Sequence, residues 1–430
     1  MRSPPDPAWA RRAADLDAAD PLAHLRSQFL DAPGVVAYFD GNSLGRPLAG
    51  TADRLDRFVR DEWAGRLIRG WTDGWMDWPE QVGDRLATAA LGAGPGQVIV
   101  ADATTVMLYK LARAAVDARP DRREIVVHAG DFPTDRYVAE GIASERGRVL
   151  RWIGTTGADG ARTDTAHSAG EARITTTPLG VTPAQVAAVV GPDTALVLLS
   201  HVDYRSGWLA DAPAITALAH DAGALILWDV SHSAGSVELA LDAWNVDLAV
   251  GCTYKYLGGG PGSPAFGYIR HGLQKVLRQP IQGWMGCCDP FEMAPGYVAA
   301  SGPRGMVSGT PPILAMLPLL AGLDLLEEAG IAAVRAKSVQ LTEFAVELAD
   351  AWLAEHDVQL ASPRNPAWRG GHVTLRRPGF RAVLDELWRR GVLPDYREPD
   401  GIRIGLAPLS TSFAEVYRGL NVLREVLEES

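Results

Sequence analysis

Cysteine is scarce in this 430-residue chain: Cys252, Cys287 and Cys288 are the only three, and none forms a CxxC pair. That excludes a disulfide framework and suits a reducing cytoplasm better than a secreted fold. Neither these cysteines nor the nine histidines fall at zinc-binding spacings, so no metal is expected. Positive charge is in the minority, 41 Lys and Arg against 52 Asp and Glu for a net charge of −11, and no basic run offsets it. Nucleic-acid binding, which rests on clustered cations and counterion release, is not expected. A membrane-spanning segment is missing too. The most apolar window, "ILAMLPLLAGLDLL" from Ile313, is interrupted by Pro318 and Asp324 and is too short to cross a bilayer. The N-terminal "MRSPPDPAWARRAADLDAAD" carries prolines and acids where a secretory leader needs an unbroken apolar run. The expected location is cytoplasmic. No internal repeat, low-complexity tail or heptad run is present.

What is present is a large apolar fraction, 47% of residues, enough for a substantial core and two packed lobes. Short β-branched runs alternate with helical patterns through the first two thirds: "EIVVHAG" from Glu124, "TALVLLSHV" from Thr194, "ALILWDV" from Ala224 and "DLAVGCTY" from Asp247. Between the second and third lies "DAPAITALAHDAG", with an Asp cap, helical spacing and a Gly terminator. Strands so continuously apolar are covered on both faces, which predicts an α/β fold with a mostly parallel sheet between helices. After about residue 310 the pattern changes to two long helices, then the strands "GHVTLRR" and "GIRIGLAP" around a helical "RAVLDELWRRG". This is a smaller α+β lobe. Residues 151–180, rich in Gly, Thr and Ala, are expected to contain a surface loop.

Lysine is also rare, four against a preponderance of arginine, and one of the four stands in "GCTYKYLGGGPG", residues 251–262. Lys255 follows an apolar strand, where loops of open sheets expose functional groups. A lysine removed from water gives up its proton more readily, and a neutral amine condenses with an aldehyde to a Schiff base, which arginine cannot do. The plainer alternative is a surface lysine at a strand end. In "LWDVSHSAG", residues 227–235, Asp229 ends another apolar strand with His232 three residues on. A carboxylate there could keep a pyridine nitrogen protonated, or could simply cap a turn. "ADATTVMLYK", residues 101–110, opens a helix with Thr104 and Thr105, whose amides and hydroxyls suit a phosphate, although many helices begin this way. "DFPTDRY", residues 131–137, offers Phe132 to stack on a planar ring and Asp135 as a polar partner, or an ordinary turn and helix. An amine, a carboxylate, a phosphate cradle and an aromatic face are together what pyridoxal phosphate requires.

The order and spacing of "YFDGNSLGRPL", "DFPTDRYVAEG", "WDVSHSAG", "GCTYKYLGGGPGSPAF", "GWMG" and "RIGLAPLSTSF" resemble kynureninase, a fold-type-I pyridoxal phosphate enzyme, from about residue 15 to the C-terminus. The resemblance implies an N-terminal arm, residues 1–48, that joins the small domain; a large cofactor-binding domain, residues 49–310; and a small domain, residues 311–430. It implies a homodimer with shared active sites and hydrolytic Cβ–Cγ cleavage of L-kynurenine to anthranilate and alanine. Lys255 would carry the cofactor and move protons, and Asp229 would pair with the ring nitrogen near His232. Phe132 would stack on the ring beside Asp135. Thr104, Thr105, Tyr254, Trp284 and Thr310 would hold the phosphate, the last two from a neighbouring subunit. Arg403 would clamp the substrate carboxylate, a task suited to a planar guanidinium, and Ser43 would line the substrate pocket. Trp71, Gly309 and Thr310 match members that prefer L-kynurenine over its 3-hydroxy form; for Trp71 core packing is the alternative.

Three positions depart from the family pattern: Met107 replaces its usual Asn, Cys287 its usual His, and Asp203 an amide. All three are expected near the cofactor or substrate, and they leave a ring-substituted kynurenine open as the substrate. Other readings are a cysteine desulfurase, an aminotransferase of the same fold, or a cofactor-binding interaction protein. A nicotinamide enzyme does not fit, because no GxGxxG follows an early strand.

Overall fold

A computed structural model describes residues 7–154 and 179–429; the expected loop within residues 151–180 lies almost entirely outside them. The strands, in chain order, are β1 (Ala37–Phe39), β2 (Val98–Ala101), β3 (Glu124–His128), β4 (Val149–Ile153), β5 (Thr194–Ser200), β6 (Leu225–Asp229), β7 (Leu248–Gly251), β8 (Ala265–Ile269), β9 (Gln359–Leu360), β10 (His372–Arg376), β11 (Val392–Arg397) and β12 (Gly401–Gly405). Among the described residues, seven form one sheet in the order β2-β8-β7-β6-β5-β3-β4. Strands β4, β3, β5, β6 and β7 run parallel, and β8 is antiparallel to both its neighbours.

The apolar runs act as two-faced strands. Val197, Leu199, Ile226 and Trp228 enter one core, with the helices Ala212–Asp221 and Ile313–Ala329. The residues alternating with them, Leu196, Leu198, Leu225 and Leu227, enter the other, with Thr104–Asp117 and Pro133–Arg146. Successive side chains of a strand point to opposite faces, so a run without polar interruption needs cover on both. The helix Ala212–Asp221 begins where Asp211 accepts a hydrogen bond from the Ala214 amide and ends before Gly223 at φ +73°.

A second sheet runs β1-β11-β12-β10-β9 and shares a core with Phe380–Arg389, Phe413–Glu428 and the later part of Ile331–Trp352. The N-terminal segment packs with this lobe. Strand β1 pairs in parallel with β11, and the Asp17 carboxylate accepts from the amides of Phe413 and Ala414 at 2.9 and 3.0 Å, capping the last helix. The helix Ile313–Ala329, grouped by sequence with the second lobe, instead buries Met316, Leu319, Leu323 and Leu326 in the core of the first. Its nearly all-round apolar surface did not reveal which lobe it would join.

Asp20 and Lys337 form a buried ion pair at 2.6 Å, both side chains almost wholly excluded from solvent, tying the N-terminal segment to Ile331–Trp352. Removing one partner strands the other charge. Asp20→Ala is therefore expected to lower unfolding stability by about 3 kcal/mol, read from the urea midpoint; a loss below ~0.5 kcal/mol would show that the pair does not hold the arm.

Candidate active site

A cavity of ≈ 240 Å³ opens at the C-terminal ends of β5, β6 and β7, where the N-terminal arm and the second sheet close over the first. Such edges collect functional groups because each strand delivers its following loop to the same side. Ser43, Thr104, Thr105, Phe132, Asp135, Asp229, His232, Tyr254, Lys255 and Arg403 all line it. Four other residues expected at the site do not. Trp284 is 46% exposed, Gly309 and Thr310 lie on the surface, and Trp71 packs edge-on against Trp75 at 5.4 Å beside the Phe58 cluster.

The lysine loop is held by close backbone approach. Gly258 and Gly260 take φ of +70° and +74°, which glycine adopts without steric cost. The Gly45 amide donates to the Tyr254 carbonyl at 2.9 Å, and a Cβ at Gly45 would stand 2.6 Å from the Lys255 carbonyl oxygen. The Lys255 Nζ lies 2.9 Å from His232 Nε2. Asp229 ends β6, register-paired with Ser200 and Val250, and its Oδ1 accepts from the Ser231 amide at 2.8 Å. Burial pushes its carboxyl above the ordinary range, opposed by hydrogen bonding from Ser231 and by Lys255. Burial also raises Asp135, followed by the facing charges of Asp229 and Asp131.

The helix Thr104–Asp117 starts at Ala103 with no side-chain cap, so its first amides remain available to an anion. The turn before it is fixed by the buried Lys110, whose Nζ donates to Asp102 Oδ2 at 2.6 Å and to the Met306 carbonyl at 2.9 Å. Phe132 precedes Pro133 at the start of the next helix, where proline's fixed φ is already helical; its ring meets Tyr204 edge-on at 5.2 Å.

Arg403 is 1% exposed. Its Nη1 donates to the Tyr204 carbonyl at 2.7 Å, its Nη2 to Ser43 Oγ at 2.6 Å, and it pairs with Asp395 at 2.6 Å. Its Nε has no hydrogen-bond partner among the described residues. Ser200, Val202, Tyr204, Ser231, Thr134 and Arg397 also line the cavity and were not anticipated. Ser200 and Ser231 carried a legible signal, being small residues at the ends of runs already identified. Arg397 carried none, because β11 was not recognised as a strand.

Two of the three departures are clearly turned elsewhere, and none of the three lines this cavity. Met107 is fully buried, its sulfur 2.8 Å from where a Gly267 Cβ would stand: it faces the core, while the cavity-lining residues of that helix are Thr104 and Thr105 at its start. Asp203 Oδ1 accepts from the amides of Arg205 and Ser206 at 2.9 and 2.7 Å and from Ser206 Oγ at 3.0 Å, so its charge is spent on its own turn. Cys287 bridges to Ala299 outside the cavity.

An amine, a buried carboxylate with no full cation in direct contact among the described residues, an uncapped helix start and an aromatic face in one cavity fit pyridoxal phosphate. The family model for the kynureninase C-terminal domain matches residues 334–423 and that for class-V aminotransferases matches residues 88–365. The chain is 40% identical to kynureninase of Pseudomonas fluorescens over 421 residues, 96% of this chain and 94% of that one. It is 38% identical to kynureninase of Burkholderia pseudomallei over 423 residues, 97% and 95% of the two chains. Among solved structures, a cysteine desulfurase from Thermococcus onnurineus superposes with a TM-score of 0.75 at 19% identity, covering 100% of this chain and 99% of that one; this likeness concerns the fold.

Lys255→Ala is expected to abolish the visible absorbance of lysine-bound cofactor, whereas Asp203→Asn, whose amide oxygen keeps the turn bonds, should leave it intact. A cofactor affinity more than about tenfold altered by Asp203→Asn, or about 1.4 kcal/mol, would place that carboxylate at the cofactor after all.

Proposed function

This chain belongs to the kynureninase family, and from that premise we propose that its cavity binds pyridoxal phosphate and hydrolyses the Cβ–Cγ bond of a kynurenine-type amino acid, giving an anthranilate and alanine. The observation that carries the reading is the convergence of Lys255, Asp229, Thr104 and Arg403 on one cavity. The bound cofactor supplies an electron sink beside the substrate α-carbon. Asp229 would hold the ring nitrogen and keep it protonated. The uncapped amides at Thr104 and Thr105 would receive the phosphate, and Phe132 would cover a ring face while Asp135 would add a polar contact.

Lys255 Nζ takes the α-proton and returns it, with His232 Nε2 within hydrogen-bonding distance. Arg403 receives the α-carboxylate through its Nε edge, and Ser43 fixes the guanidinium from the arm side. Tyr254 adds a phenol whose proton is held firmly, since burial pushes its pKa up, reinforced by Cys252 and Asp229. Water attacks the γ-carbonyl, one oxygen and one proton pass to the anthranilate carboxyl, and the released β-carbon takes a proton.

L-kynurenine is the preferred substrate in this reading, on the family match at Trp71, Gly309 and Thr310, with a ring-substituted kynurenine as the alternative. Those residues and Trp284 act across a homodimer, contributing to the partner's cavity. Support comes from their absence from the lining of the chain's own cavity and from exposed apolar residues close to Trp71 and Trp284 in the chain, Ile68 at 77% and Met293 at 79%. Among the described residues no helix is long and apolar enough to cross a membrane, and the cysteines are unpaired; a cytoplasmic location accords with both.

Incubation of cofactor-loaded protein with L-kynurenine is expected to release anthranilate and alanine in equal amounts; sulfide from cysteine, or amino-group transfer to a keto acid, would overturn the reading. Arg403→Ala should raise KM roughly 100-fold, the loss of about 3 kcal/mol of charged hydrogen bonding, with the cofactor absorbance retained. Trp284→Ala, Thr310→Ala chains alone should be inactive, and mixing them with Lys255→Ala chains should recover roughly a quarter of wild-type activity if sites are shared across a twofold dimer; full activity of the Trp284→Ala, Thr310→Ala chains by themselves would show that each chain is self-sufficient.

A further inference from the structure

Two buried imidazoles from different lobes meet beside Lys255. His232 follows β6 of the large sheet; His372 opens β10 of the small one and is wholly excluded from solvent. Their ring centroids are 5.6 Å apart, tilted by 58°. His232 Nε2 faces the Lys255 amine at 2.9 Å, while its Nδ1 and both ring nitrogens of His372 have no partner among the described residues. A third buried polar group sits beside the strand that pairs with His372. Asn42 is wholly buried with both amide atoms unpartnered, and its Oδ1 lies against Gly405, the register partner of His372. Space here is guarded: a Cβ at Gly371 would stand 2.6 Å from the Tyr256 hydroxyl.

The surroundings favour the neutral form of both rings. Burial lowers the pKa of His232, and Lys255, Arg403, His372 and Arg397 lower it further; burial does the same to His372, with Arg403, Lys255 and Arg397 facing it. A neutral imidazole has one N–H and one lone pair, and the partner of one nitrogen decides what the other can do. Buried polar atoms rarely go unpaired, and a buried water with two to four polar neighbours is the usual remedy.

We propose that His372 is a positioning residue for His232: through one bridging water, assisted by Asn42, it holds the His232 proton on Nδ1 and so leaves the Nε2 lone pair to receive an N–H of Lys255. The contact crosses from one lobe to the other, so the proton arrangement at the lysine depends on the second sheet being docked. The proposal rests on the reading of Lys255 as the proton-moving amine. Its test does not require turnover.

The experiment is nitrogen NMR of the full chain labelled with ¹⁵N-histidine, with and without pyridoxal phosphate, the His232 signals being identified by their loss in His232→Gln. The wild-type protein should show a protonated Nδ1 and a bare Nε2. His372→Phe should abolish that pattern, giving a mixture or the opposite tautomer, and His372→Gln, whose amide both donates and accepts, should restore it. A wild-type proton on Nε2, or a pattern untouched by His372→Phe, overturns the proposal. Should His372→Phe fail to fold, the wild-type pattern decides: a proton on Nδ1 supports it and one on Nε2 sinks it. Absence of kynurenine cleavage with this NMR pattern intact would count against the functional reading alone.

Discussion

The site depends on one buried guanidinium. Arg403 comes from the second sheet, reaches the arm at Ser43 and the large lobe at the Tyr204 carbonyl, and is neutralised by Asp395. A cation removed from water must be paired and hydrogen-bonded or it destabilises the fold. Burial lowers the pKa of Arg403, reinforced by Arg397 and opposed by Asp395 and Asp40. Those bonds therefore do two things at once: they make burial tolerable, and they set the arm, sheet and loop at fixed distances from one another.

Around that anchor the loop carrying Lys255 is placed by steric contact. Gly45 from the arm lies on one side of it, and Gly322 of Ile313–Ala329 lies against the Leu257 carbonyl on another. Neither glycine leaves room for a side chain. Packing at this density resists small displacements, which is what a proton-moving amine needs, because transfer depends on donor and acceptor staying within hydrogen-bonding reach. The helix Ile313–Ala329 thus connects the core of the large sheet to the chemistry.

Much of this was legible from residue order. The runs containing Val126, Leu198, Ile226 and Val250 were read as two-faced strands, and the rule that loops after such strands carry function located Lys255, Asp229 and, in hindsight, Ser200 and Ser231. Other features left no local trace. Arg397 sits on β11, whose "VLPDYR" contains a proline and alternates too weakly to be read as a strand. His372 lies in a recognised strand, yet nothing in "GHVTLRR" shows that its ring will meet His232 from a segment 140 positions earlier. Met107 and Asp203 are expected near the cofactor because the family resemblance puts those positions there; the orientation of a helix face and of a turn carboxylate keeps both out of the cavity lining.

The sequence by itself determined the sheet's parallel core, a lysine and a carboxylate at the ends of neighbouring strands, and the family, because apolar periodicity and short contiguous motifs are local properties. Tertiary structure alone decided that Arg403 joins three segments, that the helix Ile313–Ala329 belongs to the first core, and that the two histidines face each other. These are contacts between residues far apart in the chain, set by how two lobes dock and which faces they bury, and no window of residues contains both partners.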